Sequence, residues 1–364
     1  LTQACVIGAM IGMAMNDPSL DAGTTAIMAA ALAFAGATQD IVIDAYRIES
    51  ADDTYQGAMS AMYVAGYRIA MIIGGAGALE IAGFIDVIEG EGLAGYDYVA
   101  WMWAYLAMAG FMLVGVITTL CIKEPTIIPT VSDDPLLETI KLKVIEQNNI
   151  ILKSAFWAFY RFVWPILDFI QRYKKLAILI LLVITTYRIS DIVMGVIANV
   201  FYTDLGFEKQ EIGRISKGFG LAATIFGTFV GGLLIRHSGV IKILILGAVL
   251  SAATNLLFAW MAAINTSEIS HLIAIIAADN LSAGIATAAF IAYLSSLVNK
   301  EFSATQYALY SSIMVLFPKF LGGFSGTVVD ASSYEMFFIG TALIGIPVIV
   351  LIFLLEKLKK SGDY

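Results

Sequence analysis

Residues 36–47 read Gly36-Ala37-Thr38-Gln39-Asp40-Ile41-Val42-Ile43-Asp44-Ala45-Tyr46-Arg47. Asp40 and Asp44 are four residues apart and Arg47 is three further on, so in a helix all three side chains project from one face. The surrounding run, about 22–46, is otherwise apolar and long enough to cross a bilayer. A charge at bilayer depth costs about 3 kcal/mol on insertion scales, and such groups face protein or a water-filled cavity. Followed back along the helix, the same face carries Ala26, Ala29, Ala33 and Gly36. A stripe of small residues leading to a polar cluster predicts close helix packing beside a substrate path.

The whole chain agrees with that reading. Its 364 residues are 59% hydrophobic and only 14% charged, with a mean hydropathy of +0.85. The class is an all-α polytopic membrane protein. Cys5 and Cys121 lie far apart in apolar helices, so neither a disulfide framework nor a thiolate metal site is expected. The two histidines, His237 and His271, sit at helix ends, which leaves a His-based triad, a zinc site and haem ligation without support. No constellation for catalysis is evident, so an enzyme is not expected. The net charge of −8 averages over loops of opposite sign, and no basic patch suggests nucleic acid. The glycines of Gly74–Gly83 follow no strand and do not form a phosphate loop.

Apolar runs occur at about 1–15, 22–46, 57–84, 98–122, 176–201, 211–236, 240–264, 270–298, 304–329 and 334–356, ten in all, the first too short to span comfortably. That first run lacks the basic start of a signal peptide. The loop 85–97 carries Asp86, Glu89, Glu91 and Asp97 and no Lys or Arg. The stretch 123–175 carries Lys123, Lys141, Lys143, Lys153, Arg161, Arg172, Lys174 and Lys175, and the tail has Lys357, Lys359 and Lys360. Positive loops stay inside, so the linker and the C-terminus are expected in the cytoplasm. The expected organisation is an N-terminal bundle over 1–122 and a cytoplasmic linker over 123–175. A C-terminal six-helix bundle over 176–358 and a tail over 359–364 follow. The linker's aromatic, basic second part reads as an interfacial amphipathic helix.

Two helices repeat each other. One runs Gln56-Gly57-Ala58-Met59, then Arg68, then Gly74-Gly75; the other runs Gln306-Tyr307-Ala308-Leu309, then Lys319, then Gly322-Gly323. Internal repeats are the mark of transporters built from two halves. These helices are fifth in the C-terminal half but only third in the N-terminal one, so two more helices are expected before Leu1, giving a 6+6 protein of which 4+6 are present.

Gln39-Asp40-Ile41-Val42-Ile43-Asp44-Ala45-Tyr46-Arg47 resembles the fourth-helix signature of the AmpG-type muropeptide permeases, within the major facilitator superfamily. Phe302-Ser303-Ala304-Thr305-Gln306-Tyr307-Ala308-Leu309 looks like the start of that family's helix eleven, and Gly57–Gly75, with Gly66-Tyr67-Arg68, like its helix five. The resemblance covers essentially 1–356, and eukaryotic acetyl-CoA transporters share its broader pattern. It implies a monomeric permease of the bacterial inner membrane, importing N-acetylglucosaminyl-anhydromuramyl peptides for cell-wall recycling. No cofactor or metal is implied, only the proton as coupling ion; the partners are the muropeptide and membrane lipid. Gln56 departs from the family, standing where many members carry Arg.

Charges near mid-membrane are the candidate machinery. Arg68, Arg188 and Lys319 suit the peptide carboxylates of a muropeptide, Arg as a fork and Lys as a point charge. Arg188 and Asp191 are three apart on one helix and can pair, and Asp279 with Asn280 adds polar capacity. Gln39 is a further candidate substrate contact, and Tyr63, Tyr67 and Tyr187 offer rings to sugar faces. Asp40 and Asp44 are the expected proton carriers, and Arg47 and Gln56 the expected gating residues. Arg214 and Lys217 are expected to snorkel, and Glu80 to lie near an interface. The pairs Gly8–Gly12, Gly227–Gly231 and Gly322–Gly326 predict close helix contacts. Substrate is expected between the halves, with alternating access. Two other readings fit these residues: a carrier of acetyl-CoA or another anionic metabolite, and a chain that does not transport, either a remnant or a membrane interaction protein.

Overall fold

In water-free hydrocarbon a backbone must satisfy its own polar groups, so apolar runs of this length become helices. The computed structural model describes residues 1–89, 97–125 and 150–361; the acidic loop 85–97, the linker up to about 149 and the end of the tail lie partly or wholly outside them. Among the described residues all regular structure is helical. The α-helices are α1 (Thr2–Ala14), α2 (Ala22–Glu49), α3 (Gln56–Ile72), α4 (Ala78–Glu89), α5 (Tyr98–Cys121), α6 (Ile150–Ala158), α7 (Trp164–Tyr173), α8 (Leu176–Thr186), α9 (Ile189–Asp204), α10 (Lys209–Ile212), α11 (Gly220–Ser238), α12 (Val240–Ile264), α13 (Ile269–Leu297), α14 (Ser303–Gly322), α15 (Ser325–Ala331) and α16 (Tyr334–Ser361).

Among the described residues ten helical stretches are long and apolar enough to cross a membrane; nine match expected runs, while Thr2–Ala14 drops out and Ile150–Tyr173 comes in. Thr2–Ala14 is the short one, at 13 residues. Ile150–Tyr173, expected to lie in the interface, has the length and composition of a span. Its first part, Ile150–Ala158, is largely apolar and buries no residue, which a linker read for its charges does not reveal.

Several spans are interrupted. A π-helical turn, Ile73–Gly77, separates α3 from α4 at Gly74-Gly75. The corresponding Gly322-Gly323 ends α14, and α15 resumes at Ser325. The repeat in sequence is thus a repeat in irregularity: each paired-glycine site interrupts its helix. Another π-helical turn, Gly213–Phe219, precedes α11. The span Leu176–Asp204 breaks in its middle, where Tyr187 and Arg188 separate α8 from α9.

Cα packing divides the chain into two units, Leu1–Ser50 with Gly66–Thr126, and Ala51–Ala65 with Ile127–Tyr364. In the first, α1 packs on α2 and α5, with Tyr98 donating to the Ala14 carbonyl at 2.9 Å and Gln3 to Thr119 at 3.0 Å. Asp21 caps α2 by accepting from the Thr24 amide at 3.0 Å, and the Thr24 hydroxyl and amide hold its carboxyl below the usual carboxylate range. Ala82, Ala100 and Ala104 form the small-residue seam of α4 on α5.

In the second unit α11 and α13 meet backbone to backbone. A Cβ added at Gly227 would lie 2.3 Å from the Leu281 carbonyl oxygen, and one at Gly284 would lie 2.4 Å from that of Thr224. Gly231 likewise abuts Ile285, at 3.0 Å from its Cα. The Gly227–Gly231 expectation holds, and Gly12 and Gly322 are also close to neighbours, Met28 and Val196. Gly8 and Gly326 are corrections: a Cβ at either meets nothing within 4 Å.

Candidate functional site

The break in the span Leu176–Asp204 places Arg188 at the start of α9 and Asp191 in its first turn. The Arg188 Nε lies 3.4 Å from one Asp191 oxygen, and Ser251 of α12 donates to the other. Arg188 also donates to the Thr287 hydroxyl on α13 at 3.2 Å. One turn beyond Ser251, Thr254 donates to Asp279 of α13 at 3.2 Å. Asn280, next in sequence, accepts from Thr224 of α11 at 2.8 Å. Two carboxylates, one guanidinium and a ring of hydroxyls thus join α9, α11, α12 and α13. Asp279 is ten residues into α13, about 15 Å along it at 1.5 Å per residue, which is bilayer depth.

A deeper layer fixes the break. Asn255 donates to Ser190 at 2.7 Å and to Thr341 of α16 at 3.1 Å, and Ser190 donates to the Thr341 carbonyl at 2.8 Å. Discontinuous membrane helices are tolerated where their ends are satisfied by protein or line a cavity, and transporters use them for binding. The cluster can present a cation fork and carboxylate acceptors to a solute with both acidic and hydroxyl groups.

Lys319 stands exposed in the last turn of α14, one residue after Pro318. Gly322 of that turn comes within 3.2 Å of Val196 on α9, measured from the Cβ it lacks. Gln56, in the same unit, is buried and donates to the Ala51 carbonyl at 3.1 Å. Tyr187 is a correction to the expected sugar-stacking set. Its ring stacks on Phe290 at 4.4 Å, and its hydroxyl donates to the Leu244 carbonyl at 3.1 Å. With 6% exposure it has no face to offer.

In the first unit Arg47 lies 3.4 Å from Asp44, with the residues 4% and 7% exposed. Asp40, one turn back, is exposed and Gln39 half-buried. Arg68 is half-buried on α3, beside an exposed Tyr67. The small-residue stripe is not a packing seam here: Ala26 and Ala33 are exposed, and a Cβ at Gly36 meets nothing within 4 Å. A cavity of about 550 Å³ in this unit, lined by Met10, Ala70, Gly74, Trp101, Tyr105 and Met112 among others, contains none of the expected site residues.

Sequence reasoning missed Ser251, Thr254 and Thr287. The available signal was the pair of hydroxyls at i, i+3 followed by Asn255 inside an otherwise apolar run, on the turn where α12 must face something polar.

Interrupted membrane helices around a guanidinium–carboxylate cluster define a polytopic solute carrier. The profile of the Major Facilitator Superfamily matches residues 176–363. "Putative transporter AmpG 4" of Rickettsia felis is 30% identical over 98% of this chain and 78% of its own length. The "Anhydromuropeptide permease" of Escherichia coli K12 is 29% identical over 96% of this chain and 64% of its own length. Among solved structures, the proton:xylose symporter XylE superposes with a TM-score of 0.64 at 11% identity, covering 97% of this chain and 78% of that one. The chain belongs to the major facilitator superfamily and, within it, to the AmpG-type permeases. It is a multi-pass membrane transporter of a small-molecule substrate.

Proposed function

We propose that the protein imports N-acetylglucosaminyl-anhydromuramyl peptides across the bacterial cytoplasmic membrane, by alternating access in symport with protons, for cell-wall recycling. The observation that carries the substrate class is the cluster of Arg188, Asp191 and Asp279 at a broken span. A muropeptide brings peptide carboxylates for Arg188, Arg68 and Lys319, and sugar hydroxyls and amides for Asp191, Asp279 and Gln39. Tyr67, exposed, offers a ring to a sugar face. Asp40 and Asp44 carry the coupling proton, and Arg47 and Gln56 take the gating role. The C-terminus is on the cytoplasmic side, and the transporter acts as a monomer. The name of the Escherichia coli relative supports the same cargo.

One charge moving through ~150 mV yields about 3.5 kcal/mol, enough for an accumulation of a few hundredfold. The test is uptake of labelled anhydromuropeptide into proteoliposomes under an inward proton gradient. Uptake abolished by an uncoupler supports the reading; competition by acetyl-CoA instead of muropeptide replaces the cargo. Asp40→Asn and Asp44→Asn should each weaken proton-driven accumulation; if both retain full uncoupler-sensitive uptake, the proton assignment is wrong.

A further inference from the structure

The helix α7 is held to the start of α14 by a set of polar contacts centred on Gln306, a residue only 1% exposed. The Gln306 amide nitrogen donates to the Pro165 carbonyl at 2.8 Å and to Asp168 at 2.7 Å. Its oxygen accepts from Arg172 at 3.0 Å and from the Asn299 amide at 2.7 Å. A side-chain amide has two donors and two lone pairs, and here all four are used. Arg172 pairs with Asp168 at 2.9 Å and donates to the Leu297 carbonyl at 3.2 Å. Asn299 donates to the second Asp168 oxygen at 3.2 Å.

The segment just before α7 is fastened too. It is a π-helical turn, Phe159–Val163. From it Tyr160 donates to Glu301 at 2.8 Å, and the Arg161 carbonyl accepts from Thr305 at 3.1 Å. Beyond α7 stands Lys174, at φ 45° and ψ −119°. That is a conformation L-residues rarely adopt, and such strain persists only where the surroundings impose it. So α7 is a short rigid piece with an irregular turn at one end and a strained joint at the other. Between them it is secured by these directional polar bonds and by two apolar contacts, Trp164 on Phe302 and the ring of Phe169 on Tyr310 of α14 at 5.4 Å.

A permanent brace between two membrane helices needs no strained joint. Strain and π-turns gather where a segment takes two positions. We propose that α7 is a strap, fastened to the start of α14 around Gln306 in this conformation, which must unfasten once in every transport cycle. This rests on the protein being a transporter, not on the identity of its cargo. Breaking the Gln306 contacts releases Lys174 to an ordinary backbone conformation, so opening and strain relief are coupled.

The test closes the strap covalently. Asp168→Cys and Asn299→Cys are introduced together in a background with Cys5→Ser and Cys121→Ser, and joined by a short, cleavable bis-thiol reagent in the folded protein. Uptake by the joined form should fall at least tenfold and return when the reagent is cleaved. Uptake at the same rate in joined and cleaved forms overturns the proposal. If the parent with only Cys5→Ser and Cys121→Ser takes up no muropeptide, the cargo reading fails, and the strap is decided by distance. Spin labels at the exposed positions Ile170 and Leu316, in lipid nanodiscs, should then show two separations. Lys174→Gly should shift their weight toward the shorter one and Gln306→Ala toward the longer. A single separation, the same in all three backgrounds, overturns the strap.

Discussion

Ser251 and Thr254 stand one turn apart on α12 and serve different carboxylates, Ser251 donating to Asp191 of α9 and Thr254 to Asp279 of α13. One helix thereby sets the spacing of two acidic groups that belong to two others. Thr254→Val keeps the side chain's shape and removes that donor. A net hydrogen bond is worth about 1 kcal/mol, so the apparent KM for uptake should rise about fivefold, while Thr254→Ser stays near wild type. Equal uptake kinetics in both variants would show that Asp279 does not need this donor.

Arg188 should resist conservative exchange. Lysine keeps the charge but not the fork that reaches Asp191 and Thr287 together. Arg188→Lys should raise the apparent KM about tenfold, or about 1.4 kcal/mol, with melting little changed. Arg188→Ala leaves Asp191 beside no cation. Full loss of a buried partner costs roughly 3–5 kcal/mol, and partial exposure of this pair lowers that to roughly 2 kcal/mol. The double change Arg188→Ala with Asp191→Ala should melt above the single one, as thermal unfolding in detergent would report.

The glycines divide sharply. Alanine at Gly227 or Gly284 drives a methyl group into a neighbouring backbone carbonyl that cannot swing aside. Each should destabilise the protein by about 3 kcal/mol, the upper range of overpacking, with a large loss in melting temperature. Gly8→Ala and Gly326→Ala meet open space and should stay within about 0.5 kcal/mol of wild type. A large loss at Gly326 would mean that its surroundings are filled in the membrane.

Periodicity and hydropathy located nine of the ten stretches long and apolar enough to span, because a run such as Val240–Ile264 carries one charged residue, Lys242, at its very start. The tenth, Ile150–Tyr173, has a span's length and composition, while its Lys153, Arg161 and Arg172 read in sequence as cytoplasmic charge; the structure turns Arg172 onto Asp168 and Gln306. The pairs Asp44–Arg47 and Arg188–Asp191 were legible because i, i+3 spacing fixes which side chains can meet. The partnership of Asp279 with Thr254 was not, since it joins helices whose mutual rotation no local pattern encodes. The burial of Tyr187 was invisible for the same reason: the residue that covers it, Phe290, is 103 positions further along the chain.

Lys174→Gly is a stabilising change. The strain of an L-residue at φ 45°, about 1–3 kcal/mol, is removed, while glycine's greater freedom in the unfolded chain returns roughly 0.4–1 kcal/mol. A net gain of about 1 kcal/mol should raise the melting temperature by a few degrees. A lower melting temperature would place the cost at Lys174 elsewhere than in its backbone.

The glycine contacts between α11 and α13 bear on how the C-terminal unit can deform. With the Leu281 carbonyl against Gly227 and the Thr224 carbonyl against Gly284 there is no room for sliding, so these two helices are in effect welded into a single beam. Flexing within this unit then falls to the spans that are cut, at Tyr187-Arg188 and at Gly322-Gly323. The polar cluster lies where the cut span meets the beam, so one side of it stays still while the other can travel.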